Sequence, residues 1–222
     1  MIYNIPKEDI LSQLLIQLKS HFFINEEERL KIEDRLEFAL AACEENFSHT
    51  ENKYYWVERN GLKTCRFSSY HAVQYMIFLY YLSHDIYMNA NVGQLCDKIY
   101  YLNKIFHSVD LFYAIDLPKH FSAEHPLGAV MGRAKYGDNF FFYQGCTVGG
   151  NHGIYPTIGS NCTMYANSTL LGNSHIGNNV SLGAGCLIKD NDVPDNSIVF
   201  GQSPNLIIKS KKNAESSLYF KR

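Results

Sequence analysis

Ile158, Met164, Leu170, Ile176, Leu182 and Ile188 stand six residues apart, with Gly, Asn and Ser filling most of the space between them. A helix would bury positions three and four apart and an ordinary strand alternate ones, so neither period produces six. A six-residue period belongs to a parallel β-helix solenoid. The residue four places after the anchor is small or modest in most cases, at Cys162, Ser168, Ser174, Val180 and Cys186, so the two inward positions of a face alternate large and small. Upstream the period continues in a second register anchored on Val130, Tyr136, Phe142 and Val148, with Ala134 and Cys146 among the small inward positions. Ten positions separate Val148 from Ile158, and the intervening GNHGIYP has the turn chemistry of a short inserted loop. Three hexapeptides close one triangular turn of about eighteen residues, so 130–193 predicts at least three turns.

The chain before the repeats reads differently. Residues 6–23 and 25–47 carry apolar positions three and four apart and predict two amphipathic helices, the second with acidic residues in its first turn. Asn60-Gly61 predicts a hairpin turn, and the helical pattern returns over 69–88 and 92–106. An end turn of a solenoid exposes unpaired backbone and a bare core, so the helices are expected to cap the first turn. At the far end Pro194, Pro204 and a basic tail read as repeat termination. The expected fold class is α+β: an α-helical domain over 1–110, a parallel β-helix over 111–208 and a basic tail over 209–222.

Bulk properties narrow the chemistry. Hydrophobic residues make up 46% and charged residues 19%, enough to bury a core, and a net charge of −2 gives no reason to expect nucleic acid or an anionic membrane. The N-terminus lacks the pattern of a signal peptide, and the most apolar run, AVQYMIFLYYL, is too short to span a bilayer. The six cysteines form no C-x-x-C pair, and three of them fall on small inward positions of the repeat. A cytoplasmic protein with reduced thiols is expected.

Two segments, FYAIDLP at 112–118 and YQGCTVGG at 143–150, resemble stretches of bacterial serine acetyltransferases, members of the hexapeptide-repeat acyltransferase superfamily. The segment YHAVQY at 70–75 is similar to a helix that this family places at a comparable distance before its repeats, so the resemblance covers roughly residues 70–208. It implies a left-handed coil, acetyl-CoA as co-substrate, a small-molecule acceptor (an amino acid or a sugar), and a homotrimer or dimer of trimers with active sites in grooves between coils. The handedness comes from the resemblance alone, since crossover connections are ordinarily right-handed.

Acetyl transfer to a hydroxyl needs a base to take the proton as the oxygen attacks. His125, in SAEHPLGAV, lies where the family's catalytic histidine lies; without the resemblance it reads as a turn residue. A carboxylate bonded to the other ring nitrogen would hold the tautomer. Asp116, in AIDLP, matches the family's dyad aspartate by its surroundings, although it stands closer to His125 in the chain than the family's pair does; the alternative is a solvated turn carboxylate. Glu124 stands where the family has an aspartate for the substrate amine. After the inserted loop the family has an Arg-His pair that grips the serine carboxylate, and this chain has Ile154 and Tyr155. Losing a bidentate cation is not conservative. His152 sits in the same loop, as a partial substitute or a solvated residue. A sugar hydroxyl needs hydrogen bonds and stacking instead, for which Tyr143, Tyr155, Phe140 and Phe141 are candidates, with Arg133 and Lys135 pointing outward toward an anionic group or solvent. On the donor side the resemblance implies backbone amides of Ala166 and Ala184 along the pantetheine arm and Gly149-Gly150 near the thioester. Lys209, Lys211 and Lys212 are candidates for the nucleotide phosphates or a solvated tail.

Three readings compete: O-acetylation of serine or a sugar hydroxyl, N-acetylation of an amino sugar on a nucleotide carrier, and a zinc carbonic anhydrase. His120, His125, His152 and His175 do not reproduce the three-histidine arrangement of the last, so no metal is expected. A non-catalytic scaffold is the remaining option.

Overall fold

A computed structural model of the chain describes residues 1–90, 93–211 and 218–221. It divides into two compact units, one of Met1–His107 with Phe112–Ala114 and one of Ser108–Leu111 with Ile115–Arg222.

The first unit contains four helices, α1 (Lys7–His21), α2 (Glu26–His49), α3 (Ala72–Ala90) and α4 (Gly93–His107). In α1 the buried residues are Ile10, Leu14 and Leu18, and in α2 they include Ile32, Leu36, Leu40 and Phe47, the three-and-four spacing read from the sequence. A hairpin of Trp56–Arg59 and Leu62–Phe67 turns at Asn60-Gly61, whose φ angles of 51° and 75° are those the Asn-Gly pair tolerates. Asn25 closes a reciprocal capping box with Glu28 at the start of α2, and the Glu28 carboxylate, itself buried, takes a 2.6 Å ion pair from Lys98. Replacing Asn25 by Ala removes a bonded partner from the Glu28 amide; we expect a loss of about 1 kcal/mol, read as a lower urea midpoint at unchanged slope.

The second unit is a parallel β-solenoid whose strands follow one another in three ladders. Face A is built from Phe121–Glu124, Phe140–Tyr143, Thr163–Met164, Ser181–Leu182 and Ser197–Gln202. Face B is built from Asp110–Leu111, Val130–Met131, Thr147–Gly149, Thr169–Leu171 and Leu187–Lys189, and face C from Lys135–Tyr136, Thr157–Ile158 and His175–Ile176 with a bridge to Val193. Thr163 pairs with Ser181, 18 positions on, whereas Thr147 pairs with Thr169, 22 positions on; the four extra residues are the inserted loop. Met164, Leu170, Leu182 and Ile188 are each no more than 1% exposed, and the small partners Ser168, Ser174, Val180 and Cys186 are buried beside them.

The corners explain the Asn and Gly between the anchors. Each needs a residue in the left-handed region: Asn139, Asn161, Asn179 and Asn196 between faces C and A, and Gly128, Gly145, Asn167 and Gly185 between faces A and B. A Cβ on Gly145 would meet the Asn167 side chain at 2.1 Å.

Three expectations change. The inward anchor of the second rung on face B is Met131, 1% exposed, rather than Val130, 38% exposed, because the corner leading to Tyr136 is one residue shorter than a hexapeptide allows. The coil begins at Asp110, one residue inside the stretch read as helical. Asn205–Ser210 forms an antiparallel strand against Ser197–Gln202, so Lys209, expected in the tail, pairs with Ile198.

Candidate active site

Glu124 ends the first rung of face A and lies opposite Tyr143 on the next. His125 follows at the corner in the left-handed conformation, φ 49°, and its side chain is 80% exposed. Left-handed backbone is sparsely populated by residues other than Gly and Asn, and such residues recur at functional sites. The Nε2 atom of His125 stands 4.0 Å from Oε1 of Glu124. Burial pushes the Tyr143 hydroxyl up, and the Glu124 carboxylate adds to that shift.

Asp116 is exposed, and among the described residues no hydrogen bond or ion pair joins it to His125. The backbone of another acidic residue, Asp110, lies against the His125 corner. The Asp110 amide donates to Ala129 O at 2.8 Å and the Gly128 amide to Ser108 O at 2.8 Å, so Asp110 belongs to the rung directly against the 125–129 turn. The sequence reading missed it because a two-residue strand shows no period. Only the ladder reveals it, since Leu111, beside Asp110, pairs with Met131.

The same corner continues up the coil. Gly145 donates to Leu127 O, Asn167 to Gln144 O and Gly185 to Ala166 O, all at 2.8–2.9 Å, so His125, Ala166 and Ala184 share one edge. Among the described residues, neither the Ala166 nor the Ala184 amide donates to another group of the chain. Phe200 lies over Gly183, next to Ala184, with Lys209 Nζ 5.8 Å from its ring centre. Lys211 reaches elsewhere, to Asn179 Oδ1 at 2.9 Å, and Lys212 lies outside the described residues.

The remaining predicted residues gather at the corner between faces B and C. Asn151 and Ile154 bond each other's backbone at 2.9 and 3.0 Å, with His152 and Gly153 at the tip, and Asn151 Nδ2 anchors this loop to Asp190 at 2.8 Å. Tyr155 packs on Gly150, where a Cβ would lie 2.6 Å from the ring. Ile154 and Tyr155 are 51% and 43% exposed, and Arg133 is exposed on the same edge one turn below. The single chain therefore places Glu124, His125, Tyr143, Ala166 and Ala184 along one edge of face B, and Arg133, Gly149, Gly150, His152 and Tyr155 along the other. Phe140, read as a stacking residue, is fully buried, because it alternates with Phe141 and shares the inward side with Phe142. His120 and His175 are bonded to Asp138 and Asp192 at 2.7 and 2.9 Å, and among the described residues no group of three or more His, Cys, Asp or Glu is gathered to hold a metal ion. No described helix is long and apolar enough to cross a membrane.

The family model described as "Bacterial transferase hexapeptide (six repeats)" matches residues 155–190. A serine acetyltransferase of Staphylococcus epidermidis is 29% identical over 146 residues, covering 64% of this chain and 67% of that protein. The crystal structure of Neisseria gonorrhoeae serine acetyltransferase matches with a TM-score of 0.56 at 25% identity, covering 65% of this chain and 58% of that one. A serine acetyltransferase solved as a complex with CoA matches at 0.56 and 22% identity, covering 63% and 58%. The chain thus spans about two thirds of the length of the curated relative and less of the two solved structures. Coil, repeats and matches support a hexapeptide-repeat acyltransferase. Within that class it is serine acetyltransferase-like.

Proposed function

We propose that the chain is an acetyl-CoA-dependent O-acetyltransferase in which His125 is the general base. The observation that carries this reading is the shared edge: an exposed imidazole at its foot and two stacked, unbonded amides at Ala166 and Ala184 above it. An extended pantetheine arm laid along that edge would receive a hydrogen bond from each amide. The acceptor hydroxyl gives its proton to His125 as its oxygen attacks the thioester carbonyl. The tetrahedral oxyanion collapses, the C–S bond breaks, and the proton passes from the imidazolium to the departing coenzyme A thiolate. Lys209 over Phe200, close to Ala184, suits the nucleotide end of the same ligand.

Asp110 is the better-placed carboxylate to orient His125, and Asp116 the worse, on the rung register described above. Glu124, at 4.0 Å from the imidazole, is placed to meet a donor group on the acceptor. A complete cleft needs both edges of face B. A homotrimer would bring the loop edge of one coil, with Gly149, Gly150, His152 and Tyr155, against the His125 edge of its neighbour.

The acceptor class follows from the loop. Serine acetyltransferase relatives favour serine, but the exposed Ile154 and Tyr155 offer contact area and one hydroxyl where a carboxylate would want a bidentate cation. We therefore assign a sugar hydroxyl as acceptor, with serine as the second reading. Incubating the full chain with acetyl-CoA and a panel of serine, monosaccharides, amino sugars and nucleotide sugars, followed by mass spectrometry, tests this. An O-acetylated sugar is expected. A serine-only product would remove the sugar assignment, and an acetamido product would move the reaction to nitrogen.

A further inference from the structure

The outer side of face A carries a column of aromatic rings beside the proposed site. Phe141 and Tyr143 alternate outward from the second rung, and Tyr165 stacks on Tyr143 with ring centres 5.4 Å apart and planes 19° apart. Glu124 stands opposite Tyr143 at the foot of the column, next to His125. This face is occupied by the chain's own end. Tyr219 lies flat on Phe141, centres 3.7 Å apart and planes 15° apart, and its hydroxyl is 3.0 Å from that of Tyr143 and 3.4 Å from that of Tyr165. Leu218, just before it, is 72% exposed. Tyr219 thus covers Phe141 with one ring and one hydroxyl, and Phe220, 3% exposed, packs edge-on to Phe141 with ring centres 6.3 Å apart.

The geometry points to a ring-binding subsite for the acceptor on this face, which Tyr219 holds until a pyranose displaces it. A pyranose has an apolar C–H face and hydroxyls around its rim. Phe141 presents a flat apolar platform of matching size, and the Tyr143 and Tyr165 hydroxyls and the Glu124 carboxylate supply rim partners in the pattern of few polar groups around an aromatic floor. Tyr219 already shows that a six-membered ring bearing a hydroxyl satisfies the platform and two of those partners together. The phenol of Tyr219, pushed up to about 12 chiefly by burial, stays neutral across the working pH range, so what it offers in that place is a neutral hydroxyl, as a sugar does. Of the rim partners, Glu124 is the residue before His125, while the Phe141 platform pairs with Ser122, three residues before it, so the subsite holds the ring beside the base rather than on it. This inference rests on the sugar reading above and names the surface that would select it.

The test is saturation-transfer NMR on the full chain, with N-acetylglucosamine as the probe ring and L-serine as the control. If Tyr219 is docked about four-fifths of the time, removing it tightens the apparent Kd for the sugar about fivefold. Tyr219→Ala should accordingly give stronger transfer to the sugar ring protons than the wild type, with Tyr219→Phe between the two and serine unchanged. Adding Phe141→Ala to Tyr219→Ala should abolish the gain. Equal or weaker transfer in Tyr219→Ala would overturn the proposal and make Tyr219 a structural staple or a wall of the site. Persistence of the gain without Phe141 would overturn the platform. Acetyl transfer measured in parallel separates the two readings: a sugar signal that grows in Tyr219→Ala without turnover of any acceptor keeps the subsite and removes the transferase, whereas turnover with no difference between the variants removes the subsite alone.

Discussion

Replacing His125 by Ala is expected to lower acetyl turnover by about 10² to 10⁴ while coenzyme A binding, followed by calorimetry, stays within about twofold of the wild type. The expectation comes from where the side chain sits. His125 is 80% exposed at the end of a rung, so its removal opens no cavity and leaves the ladder bonds of the corner, which run through backbone groups, intact. The left-handed backbone at 49° is easier for His than for Ala, and the substitution should cost a small fraction of the coil's stability. His125→Asn, which tolerates that conformation and cannot act as a base near neutral pH, separates the two effects: it should fold as well as the wild type and turn over as poorly as the Ala variant. Wild-type turnover in either variant would take the base away from residue 125.

The largest stability effect is expected at Phe142. Its ring is fully buried on the inner side of face A, with ring centres 5.9 Å from Phe140, and it pairs in register with Ala123 on one side and Met164 on the other. Phe142→Ala removes a ring from a coil whose interior has no second layer to relax into it, and should cost about 3–5 kcal/mol, a large part of the stability of an ordinary domain. Ser181→Ala, on the outer side of the same face, should change stability by no more than about 0.5 kcal/mol. Chemical denaturation of the pair measures both. A loss at Phe142 no larger than that at Ser181 would mean that the interior is not packed as described.

These two positions also show what was legible in the sequence. Where the coil repeats every 18 residues, each anchor and its small partner could be read directly, because one geometric period governs both. The reading failed where that period is broken. One corner is a residue short, which turns Met131 inward in place of Val130, and the two-residue rung Asp110–Leu111 carries no pattern of its own. The strand Asn205–Ser210 was missed for another reason: it runs antiparallel, so it owes its place to the hairpin and to no hexapeptide. For the candidate site the sequence offers residues but not their arrangement. His125 and Ala166 fall on one edge and Tyr155 on the other because the corners, set by how many residues each face uses, decide which side chains meet. Tyr219 had no sequence signal, since the short apolar run Leu218-Tyr219-Phe220 acquires meaning only from the rings it covers.

The most direct test of the central claim is a crystal structure of the full chain with coenzyme A. The account predicts the pantetheine arm along the edge shared by His125, Ala166 and Ala184, accepting hydrogen bonds from the two alanine amides, with the sulfur at the His125 end. An arm bound on another face, or one lying on this edge with its sulfur turned away from the imidazole, would contradict it.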